Sequence, residues 1–171
     1  MTPFTNETID TTQLPRFEQV QFTALHRDYW KVVLIGYAVF YGILAIGTAM
    51  VVFFVDEASP FVTMIIVGYL FMLLLSLFLA RIGFNKKGFA FRTHDVLFRS
   101  GIIATSTIVI PYNRVQHVAL HEGLLSRIFG LAKVQIFTAG GKESDIEIPG
   151  IAKPQAEDIK QLLMGKIQKQ L

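Results

Sequence analysis

No cysteine occurs in this chain, so disulfides, thiolate catalysis and cysteine-ligated metals are excluded at the outset. That absence fits either side of a membrane and leaves the compartment open. Charge is missing from two long stretches. Val32 to Val55 runs 24 residues without a charged side chain, Ala58 to Ala80 does so again, and only Asp56 and Glu57 lie between them. An uncharged apolar run of about 18 residues or more reads as a membrane-spanning helix, because a hydrocarbon core of about 30 Å needs about 20 residues at 1.5 Å each. With no ionisable group inside either run, the usual parts of a proton relay or ion pathway are missing, and the pair reads as an anchor rather than a pore.

What is present divides by segment. Hydrophobic residues make up 52% of the 171-residue chain and the mean hydropathy is +0.47, but the excess sits in residues 32–80. The rest has the composition of a small soluble domain. Residues 82–171 carry net charge +5, residues 1–31 carry −1, and the Asp56–Glu57 turn carries −2. Arg27 and Lys31 precede the first run, and Arg81, Lys86 and Lys87 follow the second. The positive-inside rule therefore places both termini in the cytoplasm and the turn outside. The first run starts too late, runs too long and is followed too soon by a second to read as a cleaved signal peptide.

Along the chain, residues 1–16 read as a polar tail, and FEQVQFTAL (17–25) as a short strand or an interfacial segment. Tyr29 and Trp30 read as an aromatic anchor at headgroup level. Small residues fall on one stripe of each span, Ala38, Gly42, Ala45 and Ala49 in the first and Gly68, Ser76 and Ala80 in the second. Such stripes predict close packing of the two spans, with a dimer interface as the alternative. Ser59-Pro60 fits a helix cap and first position for span two. From Gly88 the period changes to 2, in GFAFRT, VLFRSG, IIATSTIVIP, RVQHVALH, KVQIFTAG and SDIEIPG. Turn signals lie at Thr93–Asp95, Ser100-Gly101 and Ala139–Lys142. EGLLSRIF (122–129) is a helical interruption stopped by Gly130. A last amphipathic helix begins near Pro154, with Ala156, Ile159, Leu162, Leu163 and Ile167 as its apolar face.

One stretch has a recognisable pattern: Ile110-Pro111, Arg114-Val115, Gly123-Leu124-Leu125, Arg127, Phe129-Gly130-Leu131, Val134, Ile136, Thr138-Ala139-Gly140 and Ile148 to Gly150. Together with the two preceding spans, it resembles the bacterial pleckstrin-homology-like (PH-like) domain of YdbS-type membrane proteins, over about residues 20 to 170. The resemblance implies a two-sheet barrel capped by a helix on the cytoplasmic face of the membrane. It also implies an interaction or scaffold role, often beside a larger relative with repeated copies of the domain. It brings no catalytic residues with it.

The remaining chemistry is weak. His117 and His121 would be about 13 Å apart on a strand, too far to share one zinc with bonds of about 2 Å. Asp145 and Glu147 would lie about 7 Å apart on one strand face, a spacing an inverting glycosidase can use, but the face reads as solvated. Gly140-Gly141-Lys142 lacks the rest of a phosphate loop and reads as a hairpin turn. Arg127 reads as a structural residue bonding strand carbonyls around the inserted turn. Lys86, Lys87, Arg92 and Arg99, with Arg114, are the candidate headgroup or partner contacts, alongside Arg81 at the end of span two.

The expectation is an α+β membrane protein. Residues 1–31 form a cytoplasmic tail and interfacial segment, and 32–81 a transmembrane helical hairpin (32–55 and 58–80). Residues 82–171 form a small antiparallel PH-like barrel or sandwich capped by a C-terminal helix. The expected place is the bacterial inner membrane, and the expected role a non-enzymatic interaction module with no cofactor. Its partners are the bilayer and another membrane protein, with no nucleic acid, and self-association is left open. An anionic-headgroup binder and a small membrane enzyme are the alternatives.

Overall fold

The computed structural model describes residues 19–55, 60–139 and 145–168. The expected tail 1–16, the Asp56–Glu57 turn, the Ser59 cap and the Gly140–Lys142 turn lie outside them. Among the described residues there are four α-helices and seven β-strands.

Helices α1 (Tyr29–Phe54) and α2 (Val62–Lys86) contain the two uncharged runs. At 26 and 25 residues they are each about 38 Å long, enough to cross a hydrocarbon core. They expose apolar side chains around their circumference, with Ile43 69%, Phe71 67% and Leu74 66% accessible. Tyr41 and Gly83 are their buried residues. A helix apolar on all sides and left uncovered by protein is matched to lipid. Helix α2 begins later than position 58, after a short 3-10 turn at Pro60-Phe61. It also continues beyond Ala80 to Lys86, with no proline in the intervening sequence to stop it, and Lys86 suits its negative end.

The small-residue stripe of α1 does not make the seam between these helices, whereas Ser76 from the stripe of α2 does. Ala38, Gly42, Ala45 and Ala49 are exposed, and a side chain added at Gly42 or Gly68 would meet nothing within 4 Å. The seam is polar and aromatic instead. The Tyr69 hydroxyl donates to the Tyr41 carbonyl at 2.9 Å, and the Tyr41 hydroxyl lies 2.8 Å from Ser76 Oγ. In a medium that offers no hydrogen bonds, hydroxyl contacts of this kind hold two helices together. Farther along, the helices diverge around an apolar cleft of about 710 Å³ lined by Ala49, Val52, Ile66 and Tyr69.

Two antiparallel sheets form the domain. The first has the order β1 (Thr23–Ala24), β2 (Gly88–Phe91), β3 (Asp95–Gly101), β4 (Thr105–Pro111). The second has the order β5 (Val115–His121), β6 (Leu131–Thr138), β7 (Ile146–Ala152). Ser100 and Gly101, read from the sequence as a turn, belong to β3, and the chain reverses at residues 102–104. Gly101 has φ +142°, and a Cβ there would overlap the Ala104 carbonyl, so glycine is required. The short helix α3 (Leu124–Ile128) joins β5 to β6.

Alternation of apolar residues puts Val96, Phe98 and Ile110 of one sheet against Val118, Val134, Ile136, Ile146 and Ile148 of the other. Helix α4 (Lys153–Gln168) closes this core with Ala156, Ile159 and Leu163. Leu162, expected on that face, is 46% exposed. The seam is one residue wide (156, 159, 163, 167), and Leu162 sits about 100° around the helix from Leu163.

The segment before α1 belongs to this domain. Thr23 pairs with Phe89 and Ala24 with Gly88. Leu25 is a 5% exposed member of the core, and the His26 amide donates to the Gly150 carbonyl at 2.8 Å. Gly150 has φ +64°, and a Cβ on it would overlap the Tyr29 side chain. Thr23 and Ala24, within the stretch 17–25 read as a short strand or an interfacial segment, are thus a strand of the first sheet, and the residues up to Tyr29 pack on the domain. The helical hairpin is an insertion between two paired strands, β1 and β2.

Candidate functional site

The strand directions give the domain two ends. Chain reversals at 102–104, at α3 and at the β7–α4 junction lie beside the start of α1 and the end of α2. Those at 92–94 and 112–114 lie at the opposite end. The first end is the membrane-proximal one.

There, Trp30 packs against Phe84 with ring centroids 5.5 Å apart, and the Arg81 guanidinium lies over Trp30 at 5.0 Å. Cation and aromatic ring attract in this arrangement, and both suit the headgroup layer. Lys31 pairs with Asp28 at 2.6 Å, and its hydrogen bond holds the Asp28 carboxyl below the ordinary carboxylate value. A cleft of about 390 Å³ opens between α1, α2 and the β3–β4 turn, lined by Tyr29, Tyr37, Phe84, Lys87, Ser100 and Ile102 among others. It offers an apolar floor with one ammonium, that of Lys87, and the hydroxyl-bearing side chains of Tyr29, Tyr37 and Ser100 in its lining, a chemistry that suits a lipid with an anionic headgroup.

The five expected contact residues do not form one site. Lys86, Lys87 and Arg99 come together at the proximal end. Lys86 Nζ donates to the Ile102 carbonyl at 2.6 Å. Arg99 is paired across the ladder with Gly88, the neighbour of Lys87, and its guanidinium lies 4.4 Å from the Phe22 ring centre.

Arg92 and Arg114 are at the far end. Arg92 forms a two-pronged ion pair with Asp95, with Nε donating to Oδ1 at 2.6 Å and Nη2 to Oδ2. That partner raises the guanidinium pKa still further. Arg92 is therefore occupied in closing the β2–β3 turn. Arg114 is exposed, and its carbonyl accepts from the Ala139 amide at 3.3 Å. The end it occupies is remote from the spans.

Tyr112 completes the far end. It is 2% exposed and its hydroxyl donates to the Arg92 carbonyl at 2.6 Å. Burial, with the Asp95 carboxylate adding, pushes its pKa up to about 12.

The other candidates have structural employment. His117 stacks on Phe137 across the β5–β6 ladder, with centroids 4.1 Å apart, while His121 is opposite Lys133 at the other end of β5. Thr138 donates to Asp145 through both its amide and its hydroxyl, and Glu147 accepts from Lys133 and Gln135. Arg127 is exposed on α3 and makes no bond to a strand carbonyl among the described residues. No spacing in the sequence could have gathered Tyr29 and Tyr37 of α1 around Lys87 and Ser100, because the whole hairpin separates the two pairs in the chain.

Two lipid-matched helices inserted into a two-sheet, helix-capped domain define a membrane protein with a PH-like fold. The family described as Bacterial PH domain matches residues 31–167, and the chain belongs to that family. It is similar to two transmembrane proteins of Bacillus subtilis (strain 168). It is 36% identical to UPF0699 transmembrane protein YdbT over 83 residues, which is 47% of this chain and 17% of YdbT. It is 33% identical to UPF0699 transmembrane protein YdbS over 67 residues, 39% of this chain and 40% of YdbS. The matched part spans less than half the length of either relative. No solved structure matches the chain.

Proposed function

We propose that this protein is a non-enzymatic docking module, held at the cytoplasmic face of the bacterial plasma membrane by its helical hairpin, with both termini inside. The basic residues Arg27, Lys31, Arg81, Lys86 and Lys87 gather at one end of the hairpin, which supports that orientation. The observation that carries the docking role is strand β4. It is the outer strand of its sheet, its sequence TSTIVIP is β-branched and uncharged, and Ile108 and Val109 are 38% and 41% exposed. Edge strands that must stay unpaired usually carry a charge or a bulge, and β4 carries neither. Such an edge accepts an extended segment by strand addition, the main chain supplying affinity and alternate side chains specificity. The segment comes from another membrane protein, and the first to be tried is a longer one of the same family. Confinement to one membrane raises the effective concentration of such a partner.

A photo-crosslinker replacing Ser106 on β4 tests this in cells. A discrete protein adduct is expected, and it is lost on Ile108→Lys while the amount and melting temperature of the protein are kept. Adducts to lipid alone, or none under any growth condition, would refute the docking role. A second reading, contact with anionic headgroups, is favoured by the convergence of Lys86, Lys87 and Arg99 beside the juxtamembrane cleft.

A further inference from the structure

Outside the two long helices, the three most exposed large apolar side chains among the described residues are Ile103 at 94%, Leu124 at 81% and Ile128 at 71%. All three are on the membrane-proximal end. Ile103 is at the tip of the β3–β4 turn. Its neighbour Ile102 lies where a Cβ on Gly83 of α2 would touch it at 3.3 Å, and the Lys86 ammonium grips the Ile102 carbonyl. Leu124 and Ile128 are four residues apart on α3 and so share one face. Helix α3 lies beside the start of α1, where Lys31 Nζ is 6.0 Å from the Phe129 ring centre. One apolar tip therefore stands next to α2 and the other next to α1.

Their depth fits the boundary of the bilayer. Helix α2 continues from Arg81 to Lys86, which carries the domain about 7.5 Å beyond the last uncharged turn. The headgroup layer of one leaflet is about 5–7 Å thick, so the end of the domain rests on it. Basic side chains flank both tips, Lys87 and Arg99 by the first and Lys31 and Arg127 by the second. An apolar tip within a basic rim is the composition of elements that lie in the interface of an anionic leaflet. A soluble surface gains nothing from three bare aliphatic side chains at one end.

We infer that the domain stands on the membrane through two apolar wedges, Ile103 and the Leu124–Ile128 pair, which enter the lipid on either side of the helical hairpin. The inference rests on the reading of that hairpin as membrane-crossing. Docked at two points besides its helices, the domain is fixed in orientation, and the edge of β4 is held at a constant height above the bilayer.

The cysteine-free chain allows a direct test in the full-length protein reconstituted in vesicles of phosphatidylglycerol and phosphatidylethanolamine. Single variants Ile103→Cys and Leu124→Cys carry an environment-sensitive fluorophore, with Ile43→Cys in α1 and Asn113→Cys at the far end as references. Lipids bearing a quencher on the upper acyl chain are expected to cause loss of emission at positions 103 and 124, lipids bearing it near the chain terminus loss at the mid-bilayer position 43, and neither any loss at 113. Loss at 43 with none at 103 and 124 overturns the wedges and leaves the crossing helices standing. No loss at 43 removes the crossing and the wedges with it. Equal loss at 103 and 113 also overturns the inference, because contact would then be general to the domain surface.

Discussion

The two ends of the domain carry similar residue types and use them in opposite ways. At the far end Arg92 bonds Asp95, Tyr112 bonds the Arg92 carbonyl, and Lys166 of α4 donates to the Thr93 carbonyl at 3.2 Å. Charge and hydroxyl there are spent on each other, and the turns are locked to the capping helix. At the proximal end Lys87 rims an open cleft, Arg99 lies over an aromatic ring, and Ile103, Leu124 and Ile128 are bare. Basic residues beside a membrane thus become informative only when their partners are known. Arg92 belongs to the fold, and Lys87 is left to the surroundings.

If the proximal end is completed by the segment before α1, removing that segment should have the largest effect. A fragment of residues 82–171 lacks β1 and Leu25 and exposes Phe89. We expect it not to melt cooperatively. Joining residues 19–30 to it through a short linker in place of the hairpin should restore a sharp transition. In the full chain Leu25→Ala should cost about 2–5 kcal/mol, the usual range for emptying a core leucine site. Chemical denaturation of the detergent-solubilised protein measures it. A cost near zero would return residues 23–29 to the status of an interfacial segment.

The two ends should also separate in their response to lipid. Mass spectrometry of the full chain in mild detergent reports which lipids it retains. Lys86→Ala with Lys87→Ala should weaken the preference for anionic over zwitterionic lipid by about 1 kcal/mol per lysine, and added salt should mimic the change. Arg92→Ala should leave that preference alone, because its guanidinium is already committed to Asp95. Equal effects from Arg92 and from the lysines would erase the distinction between the ends.

Much of this was legible in the sequence, and the parts that were not share a cause. Val32–Val55 and Ala58–Ala80 announce two crossing helices through length and lack of charge, and the period-2 runs after Gly88 announce the strands. The C-terminal helix is evident from its spacing. Strand β1 is two residues long with both side chains exposed, so the weak alternation of 17–25 could not decide between a strand and an interfacial segment, and its partner lies across the whole hairpin. Arg92 and Lys87 look alike in sequence because an ion pair across a turn depends on how the turn closes. The stripe of α1 misled because two tyrosines, with Ser76 from the stripe of α2, can hold a seam that glycine is usually called on to make. Gly150 was visible as a motif residue, but its reason, the Tyr29 side chain packed against it, required the fold.

A smaller effect is expected from the lock at the far end. Tyr112→Phe should cost about 0.5–1.5 kcal/mol for the lost hydrogen bond to the Arg92 carbonyl. It should also change the alkaline limb of stability. The Tyr112 pKa rises from an ordinary 10.0 to about 12 in the fold, so the fold favours the neutral phenol. That contribution is present in full below about pH 10 and is lost as pH climbs toward about 12. Denaturation midpoints between pH 9 and pH 12 should fall more steeply for the native chain than for the phenylalanine variant. Parallel curves would mean that Tyr112 titrates as an exposed phenol does.

The smallest effect on stability is expected where the effect on membrane contact is greatest. Ile103→Ser and Leu124→Ser remove side chains that touch little of the protein, so detergent-solubilised variants should unfold within about 0.5 kcal/mol of the native chain. In vesicles the ranking should change, because side chains seated in lipid lose about 0.8 kcal/mol for each buried CH2 that is removed. The native chain should then gain more stability on moving from detergent to bilayer than either variant does. Hydrogen exchange of the β3–β4 turn reads this directly, since amides near Ile103 are protected only if the tip is seated. Identical exchange in the two media would assign both ends of the domain to water, and the contrast between them would reduce to one of internal packing.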